Sequence, residues 1–374
     1  MSEMLRPNPF RLGFGLMRLP KNPDGTIDIH QVCEMVDRFI AAGGTYFDTA
    51  YVYDGGGSEL AFRSAVAERY PRDLYTLATK LHATIGATDE KSARQEFTTS
   101  LERTGAGYFD YYLLHAMQRS TYSKYDEYGL WDFVKEQKAR GLIRHWGFSF
   151  HADPGLLEKL LDAHPDAEFV QLQINYADWD NPGVASRRNW EICRERGKPV
   201  MIMEPVKGGI LADPIPAVRS VFDEYGADVS YASWALRFAA SLEGVHAVLS
   251  GMSNLAQMDD NLKTMKDFRP LSESEKELIR RVQRALDADK SIPCTACRYC
   301  TKGCPMGIPI PDIFNVVNRR TGSPEFRTIR EYTIVTEGKG KAIDCISCGQ
   351  CESACPQGLQ IISLLRQCRA MLEK

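Results

Sequence analysis

Eight short apolar runs, seven of them followed by a stretch of helical spacing, organise the first part of the chain. They read LGFG, TYFDTA, LYTLATK, FDYYLLH, IRHWGFSF, FVQLQIN, PVMIMEP and HAVLSG. That alternation, carried over roughly 270 residues, has the size and rhythm of an α/β protein built as a closed (β/α)8 TIM barrel. A doubly wound open sheet is the competing arrangement, because periodicity alone does not settle closure.

At 374 residues the chain is long enough for one large α/β domain and a smaller one. Its formal net charge of -3 gives no electrostatic reason to expect nucleic acid or an anionic membrane as the main partner. No apolar run approaches the roughly 18 residues of a spanning helix. The opening MSEMLRPNPFRLGFG lacks the basic and apolar regions of a signal peptide, so a cytoplasmic location is expected.

In a barrel, chemistry gathers where the strands end and the βα loops begin. Asp48 ends TYFD, Lys80 ends LYTLATK and His115 ends YYLLH, on three successive expected strands, and Tyr53 follows in the first loop beside DGGG. Each alone has a plain structural explanation as a helix cap, a solvated lysine or a satisfied core histidine. Together they suit proton transfer. A carboxylate keeps a buried lysine charged, that ammonium lowers the pKa of a nearby phenol, and an imidazole donates to a developing oxyanion.

These residues resemble the aldo-keto reductase family. FDTAYVYDGGGSE matches its D-T-A-x-x-Y signature, which selects Tyr53, and Lys80 and His115 complete an Asp-Tyr-Lys-His tetrad. Gly147 to Ser149 (GFS) and Gln173 to Tyr176 (Q-x-x-Y) extend the resemblance over about Pro9 to Lys266. It implies NAD(P)-dependent reduction of a small-molecule carbonyl, or oxidation of the alcohol, with Asp48, Tyr53, Lys80 and His115 as catalytic residues. NADP(H) or NAD(H) is the implied cofactor. Ser149 and Gln173 are then expected at the nicotinamide carboxamide, and Met203 stands where an aromatic usually stacks. Ser250, Gly251, Ser253, Gln257 and Asn261 are expected at the adenosine phosphate end, where the helix near Leu255 offers N–H groups. The sequence also departs from the family pattern. Phe150 replaces a common Asn, and Gly251 and Gln257 replace a cationic clamp for a 2′-phosphate. Glu204 and Lys207 are expected to pair with each other at the strand end, or to line the cofactor site.

The C-terminal part carries a different signal. CTACRYCTKGCP, Cys294 to Pro305, and CISCGQCESACP, Cys345 to Pro356, repeat the spacing C-x2-C-x2-C-x3-C-P. By the rule for such runs, one [4Fe-4S] cluster takes Cys294, Cys297, Cys300 and Cys355, and a second takes Cys345, Cys348, Cys351 and Cys304. Zinc needs only two pairs per site and has no use for the third cysteine or the proline. Cys33, Cys193 and Cys368 lie outside the runs and are expected to pack in cores. IPDIFNVVNRR between the runs reads as a helix, so the module is expected to be a mainly helical ferredoxin-like domain.

The expected organisation is a barrel over 1–270, a connecting helix over 271–290 with a Ser cap, and a dicluster domain over 291–374. As a whole the chain resembles the iron-sulfur branch of the aldo-keto reductases. Nicotinamide passes two electrons and each cluster one, and a flavin usually mediates between them. Coupled redox chemistry therefore calls for a ferredoxin-like or flavoprotein electron partner. The alternatives are a carbonyl reductase whose clusters are structural or serve partner docking, and a non-catalytic electron-transfer or redox-sensing protein.

Overall fold

The computed structural model of the protein describes residues 10–288, 291–319 and 325–373. All eight apolar runs are strands: β1 (Leu12–Gly15), β2 (Tyr46–Asp48), β3 (Thr76–Leu81), β4 (Phe109–Met117), β5 (Ile143–Phe150), β6 (Phe169–Gln173), β7 (Val200–Met203) and β8 (Val245–Ser250). They pair in parallel and in chain order, and β8 returns to β1 through Leu12↔Val248, which closes the barrel. The open-sheet alternative is thereby excluded.

Alternation along each strand divides the core into two layers. Tyr46, Ala78, Tyr111, Leu113, Phe169, Met201, Ala247 and Leu249 fill the barrel interior. The opposite faces, Phe47, Leu77, Tyr112, Phe148, Val170 and Val248 among them, pack under the surrounding helices. Gly147 is required for close approach, since a Cβ there would sit 2.3 Å from the Phe169 carbonyl oxygen. Cys193 is fully buried in the larger core and Cys33 packs against it. Cys368 is buried in the core of the C-terminal module.

Helix Glu273–Asp287 begins at Ser272, whose side chain and that of Glu275 form a capping box. Its Leu278, Ile279 and Val282 pack with Phe222 and Trp234 of the last barrel helices. A bidentate Arg237–Glu275 pair at 2.7 and 2.8 Å fixes the contact. Beyond it lie helices Tyr299–Lys302, Ile310–Asn318, Glu325–Val335, Gln350–Ser353 and Ile361–Leu372, with no strand among the described residues. No helix among the described residues is long and apolar enough to cross a membrane.

Candidate active site and cysteine cavities

The barrel places the expected tetrad at one mouth. Lys80 is fully buried, and its Nζ donates to Asp48 Oδ1 at 2.5 Å and to the Thr49 carbonyl at 2.6 Å. Gln171 Nε2 donates to the other carboxylate oxygen at 3.1 Å, so Asp48 is held from two sides. Burial pulls Lys80 down and pushes Asp48 up, and the charge of each partner opposes both shifts. Tyr53 follows on a short turn whose next three residues have left-handed backbone, Asp54 at φ 52°, Gly55 at 65° and Gly56 at 98°. That turn folds the phenol back over the strand ends.

Tyr53 and His115 meet edge to face with ring centroids 5.7 Å apart, and the Lys80 ammonium lies 4.9 Å from the Tyr53 centroid. The expectation that this ammonium lowers the phenol's pKa needs correction. Lys80 faces the ring and is engaged by Asp48 and Thr49. Burial, followed by the Asp48 charge, pushes Tyr53 well above the ordinary tyrosine value; Arg18 opposes the shift and Glu204 adds to it. His115 is driven well below the usual histidine range by burial and by neighbouring His82, Lys80 and His151. His82 and His151 are lowered to about 4, mainly by burial. Three neutral imidazoles therefore border the mouth.

The residues expected at the cofactor separate into two environments. Ser149 is buried and accepts the Ala116 N–H at 2.7 Å; Ala116 has a strained left-handed φ of 53°. Gln173 is buried at the end of β6, while Met203, at the end of β7, is partly exposed. At the other end, Asn261 Nδ2 donates to Ser250 Oγ at 2.7 Å, and a Cβ on Gly251 would lie 3.7 Å from Arg18 Cβ. Ser253 Oγ donates to the Arg18 carbonyl, and Gln257 Oε1 accepts from the Ser253 N–H. Helix Leu255–Lys266 starts here, with Asn254 as its cap.

The sequence did not reveal that the C-terminal module roofs this mouth. Glu204 does not pair with Lys207, which corrects the first of the two arrangements expected for them. Arg18 takes Glu204 at 3.3 Å and reaches the Thr295 carbonyl at 3.5 Å, whereas Lys207 is buried against Asp178 and donates to Gln357 Oε1 at 3.1 Å. Gln357 Oε1 also accepts from Gln173 Nε2 at 3.1 Å. Tyr299, between Cys297 and Cys300, has its phenol raised mainly by burial and then by Tyr53, which places the two tyrosines in one electrostatic neighbourhood. The Tyr-rich loop after His115 joins the seam: Ser120 Oγ donates to the Ser353 carbonyl at 3.2 Å, and buried Tyr125 donates to the His115 carbonyl.

The eight clustered cysteines line two separate cavities. Cys294, Cys297, Cys300 and Cys355 surround one, and Cys304, Cys345, Cys348 and Cys351 the other, as the crossed rule expects. Their loops share a backbone: the second and fourth residues after the first cysteine are left-handed in both, Ala296 and Arg298 in one, Ser347 and Gly349 in the other. No three His, Cys, Asp or Glu among the described residues close around one point as a single metal ion requires. Four thiols around a cavity fit a larger body. Burial and the neighbouring thiols push Cys300 up to about 12, and burial pushes Cys297 to about 11, so a positively charged group is needed to draw off these protons. The donor sets fit iron-sulfur clusters. The unpartnered Gln173 Oε1, buried at the mouth, likewise fits a nicotinamide carboxamide.

A model of the aldo/keto reductase family matches residues 11–284, and the chain belongs to that family. A 4Fe-4S dicluster domain matches residues 293–360 and distinguishes it from a bare barrel. "Probable aldo-keto reductase 1" of Glycine max is 26% identical over 206 residues, 53% of this chain and 56% of that protein. Aldo-keto reductase str7 of Strobilurus tenacellus is 27% identical over 54% of this chain and 59% of its own. The chain thus spans a little over half the length of these curated relatives. Aldo-keto reductase AKR11C1 from Bacillus halodurans, in holo form, superposes with a TM-score of 0.61 at 22% identity, covering 76% of this chain and 95% of its own. An aldo-keto reductase from Klebsiella pneumoniae in complex with NADPH gives 0.58 at 19%, covering 73% and 90%. At these identities the structures show a shared barrel.

Proposed function

We propose that the protein is an NAD(P)-dependent carbonyl–alcohol oxidoreductase whose barrel is coupled to electron exchange through two [4Fe-4S] clusters. The observation that carries this reading is the Tyr53–His115 pair above Asp48–Lys80, roofed by the loops of one four-cysteine cavity. A bound nicotinamide supplies hydride chemistry, and iron-sulfur clusters supply single electrons.

The side chains handle the proton. Tyr53 holds it on its hydroxyl at neutral pH, because burial and the Asp48 carboxylate disfavour the phenolate. An alkoxide is more basic still, so the proton leaves when negative charge develops on a carbonyl oxygen within reach. Lys80, facing the ring, eases the phenolate that remains, and Asp48 keeps that lysine in place. His115, neutral and beside Tyr53, donates to the same oxygen. Ser149, Gln173 and Met203 are assigned to the nicotinamide end, and Ser250, Gly251, Ser253, Gln257 and Asn261 to the adenosine end. A ferredoxin-like or flavoprotein partner is the matching electron carrier.

Tyr53→Phe tests the reading. Carbonyl reduction with NAD(P)H should fall by about 10²–10⁴-fold while cofactor binding stays near wild type. Full turnover in the variant removes Tyr53 from this role. Iron and sulfide analysis of anaerobically purified protein tests the clusters.

A further inference from the structure

The barrel and the C-terminal module meet through two amides whose orientations are chemically forced. Gln173 Nε2 lies 3.1 Å from the Asp178 carboxylate and must be the donor there. Gln357 Oε1 lies 3.1 Å from the Lys207 ammonium and must be the acceptor. A single hydrogen bond joins the amides, from Gln173 Nε2 to Gln357 Oε1. Both N–H groups of Gln173 are then used, and both donors to Gln357 converge on its oxygen.

What remains is one acceptor and one donor. Gln173 Oε1 and Gln357 Nε2 have no hydrogen-bond partner among the described residues, and the two side chains are only 4% and 7% exposed. Leaving such atoms unpaired is unfavourable, because each gives up its bond to water without replacement. Adjacent Phe150 offers no polar side-chain atom. Tyr53, Met203, Glu204 and Tyr299 at the same mouth are partly exposed.

We infer that Gln173 and Gln357 together form a site for a primary carboxamide, whose NH2 donates to Gln173 Oε1 and whose carbonyl accepts from Gln357 Nε2. This rests on the nicotinamide reading above and adds to it a binding residue from outside the barrel. The ligand group is the carboxamide of the dinucleotide. A barrel without the docked module offers one of the two contacts. Gln357 lies two residues after Cys355, so the backbone that brings a thiol to the first cavity also delivers the amide.

Gln357→Glu separates the parts of this arrangement. The carboxylate keeps an acceptor for Lys207 and Gln173, which preserves docking, but replaces the free NH2 with an oxygen that repels a carbonyl. NADPH and NADH binding, followed by cofactor fluorescence on the full, anaerobically purified chain, should weaken about 10- to 100-fold, where each tenfold corresponds to about 1.4 kcal/mol. The visible spectrum of the iron-sulfur centres should not change. Binding of 2′,5′-ADP, which carries only the adenosine end, should match wild type. Benzamide should compete with NADPH in the wild type and lose that competition in the variant. Unchanged NAD(P)H affinity in Gln357→Glu overturns the inference and leaves the reductase reading standing; benzamide binding alongside NADPH overturns it by assigning the amides to a substrate. A wild-type protein that binds neither dinucleotide sinks the cofactor reading as well.

Discussion

The two cysteine sets have the same spacing and the same left-handed loop positions, but they face different surroundings. The set of Cys294, Cys297, Cys300 and Cys355 lies against the barrel, with Thr295 held by Arg18 and Gln357 bonded to Gln173 and Lys207. The set of Cys304, Cys345, Cys348 and Cys351 looks outward, with Cys348 exposed and Ile346 beside it 60% exposed. One motif used twice thus yields an inner site and an outer site. Location relative to the barrel sets one beside the mouth that holds Tyr53 and leaves the other at the surface.

Paired substitutions give the largest test of that asymmetry. Cys300→Ser should loosen the loops that roof the barrel, lowering both NAD(P)H affinity and carbonyl turnover by about tenfold or more. Cys348→Ser should remove about half the iron and leave cofactor affinity within about twofold. Titration with NADPH and iron analysis on the same samples check both, and equal effects from the two variants erase the distinction between inner and outer.

Acid should act on the inner side. All seven histidines lie before residue 291, and Lys302, which closes the helix after Cys300, helps depress His82. His82 and His151 titrate near 4 in the folded protein and near 6.5 when unfolded, so the unfolded chain binds more protons between those values. Their stabilising contribution is complete above about pH 6.5, is lost as pH falls toward 4, and does not fall further below that. A shift of this size corresponds to on the order of 3 kcal/mol per imidazole. Urea unfolding between pH 4 and 7 should show the slope, and His82→Asn should flatten it by about one proton.

The smallest expected difference is kinetic. A chelator should strip iron from the outer set about severalfold faster than from the inner one, because Cys348 is open to solvent. Time-resolved iron release with two phases, the fast one abolished by Cys348→Ser, is the expected record; a single phase contradicts it.

The barrel was readable because each strand is a local event. A short apolar run ending in Asp48, Lys80 or His115 reports its own burial and its own βα loop, whereas closure is shown by the pairing of β8 with β1. The thiols gather around two cavities in the grouping that the rule for such runs leads one to expect. Contacts across the domain seam were not readable in this way. Glu204 and Lys207 sit three residues apart and look like a pair, but left-handed backbone at both turns them toward Arg18 and Asp178. The acidity of Tyr53 was misjudged for a related reason: it depends first on burial and then on the charges of Asp48, Arg18 and Glu204. Gln357 carries no local mark at all, because its role exists only once two distant segments are docked.

Two glycines shape that docking. A Cβ on Gly208, which has φ +65°, would come within 2.8 Å of the Thr295 carbonyl, and one on Gly358, at φ +61°, would touch the Gly183 carbonyl at 3.4 Å. At these two points the halves of the chain meet main chain against main chain, with no side chain between them to absorb a mismatch. A graft of residues 291–373 onto a foreign barrel would have to carry over the 204–209 turn and Asp178 as well, so the two parts are expected to diversify in step and not as interchangeable cassettes.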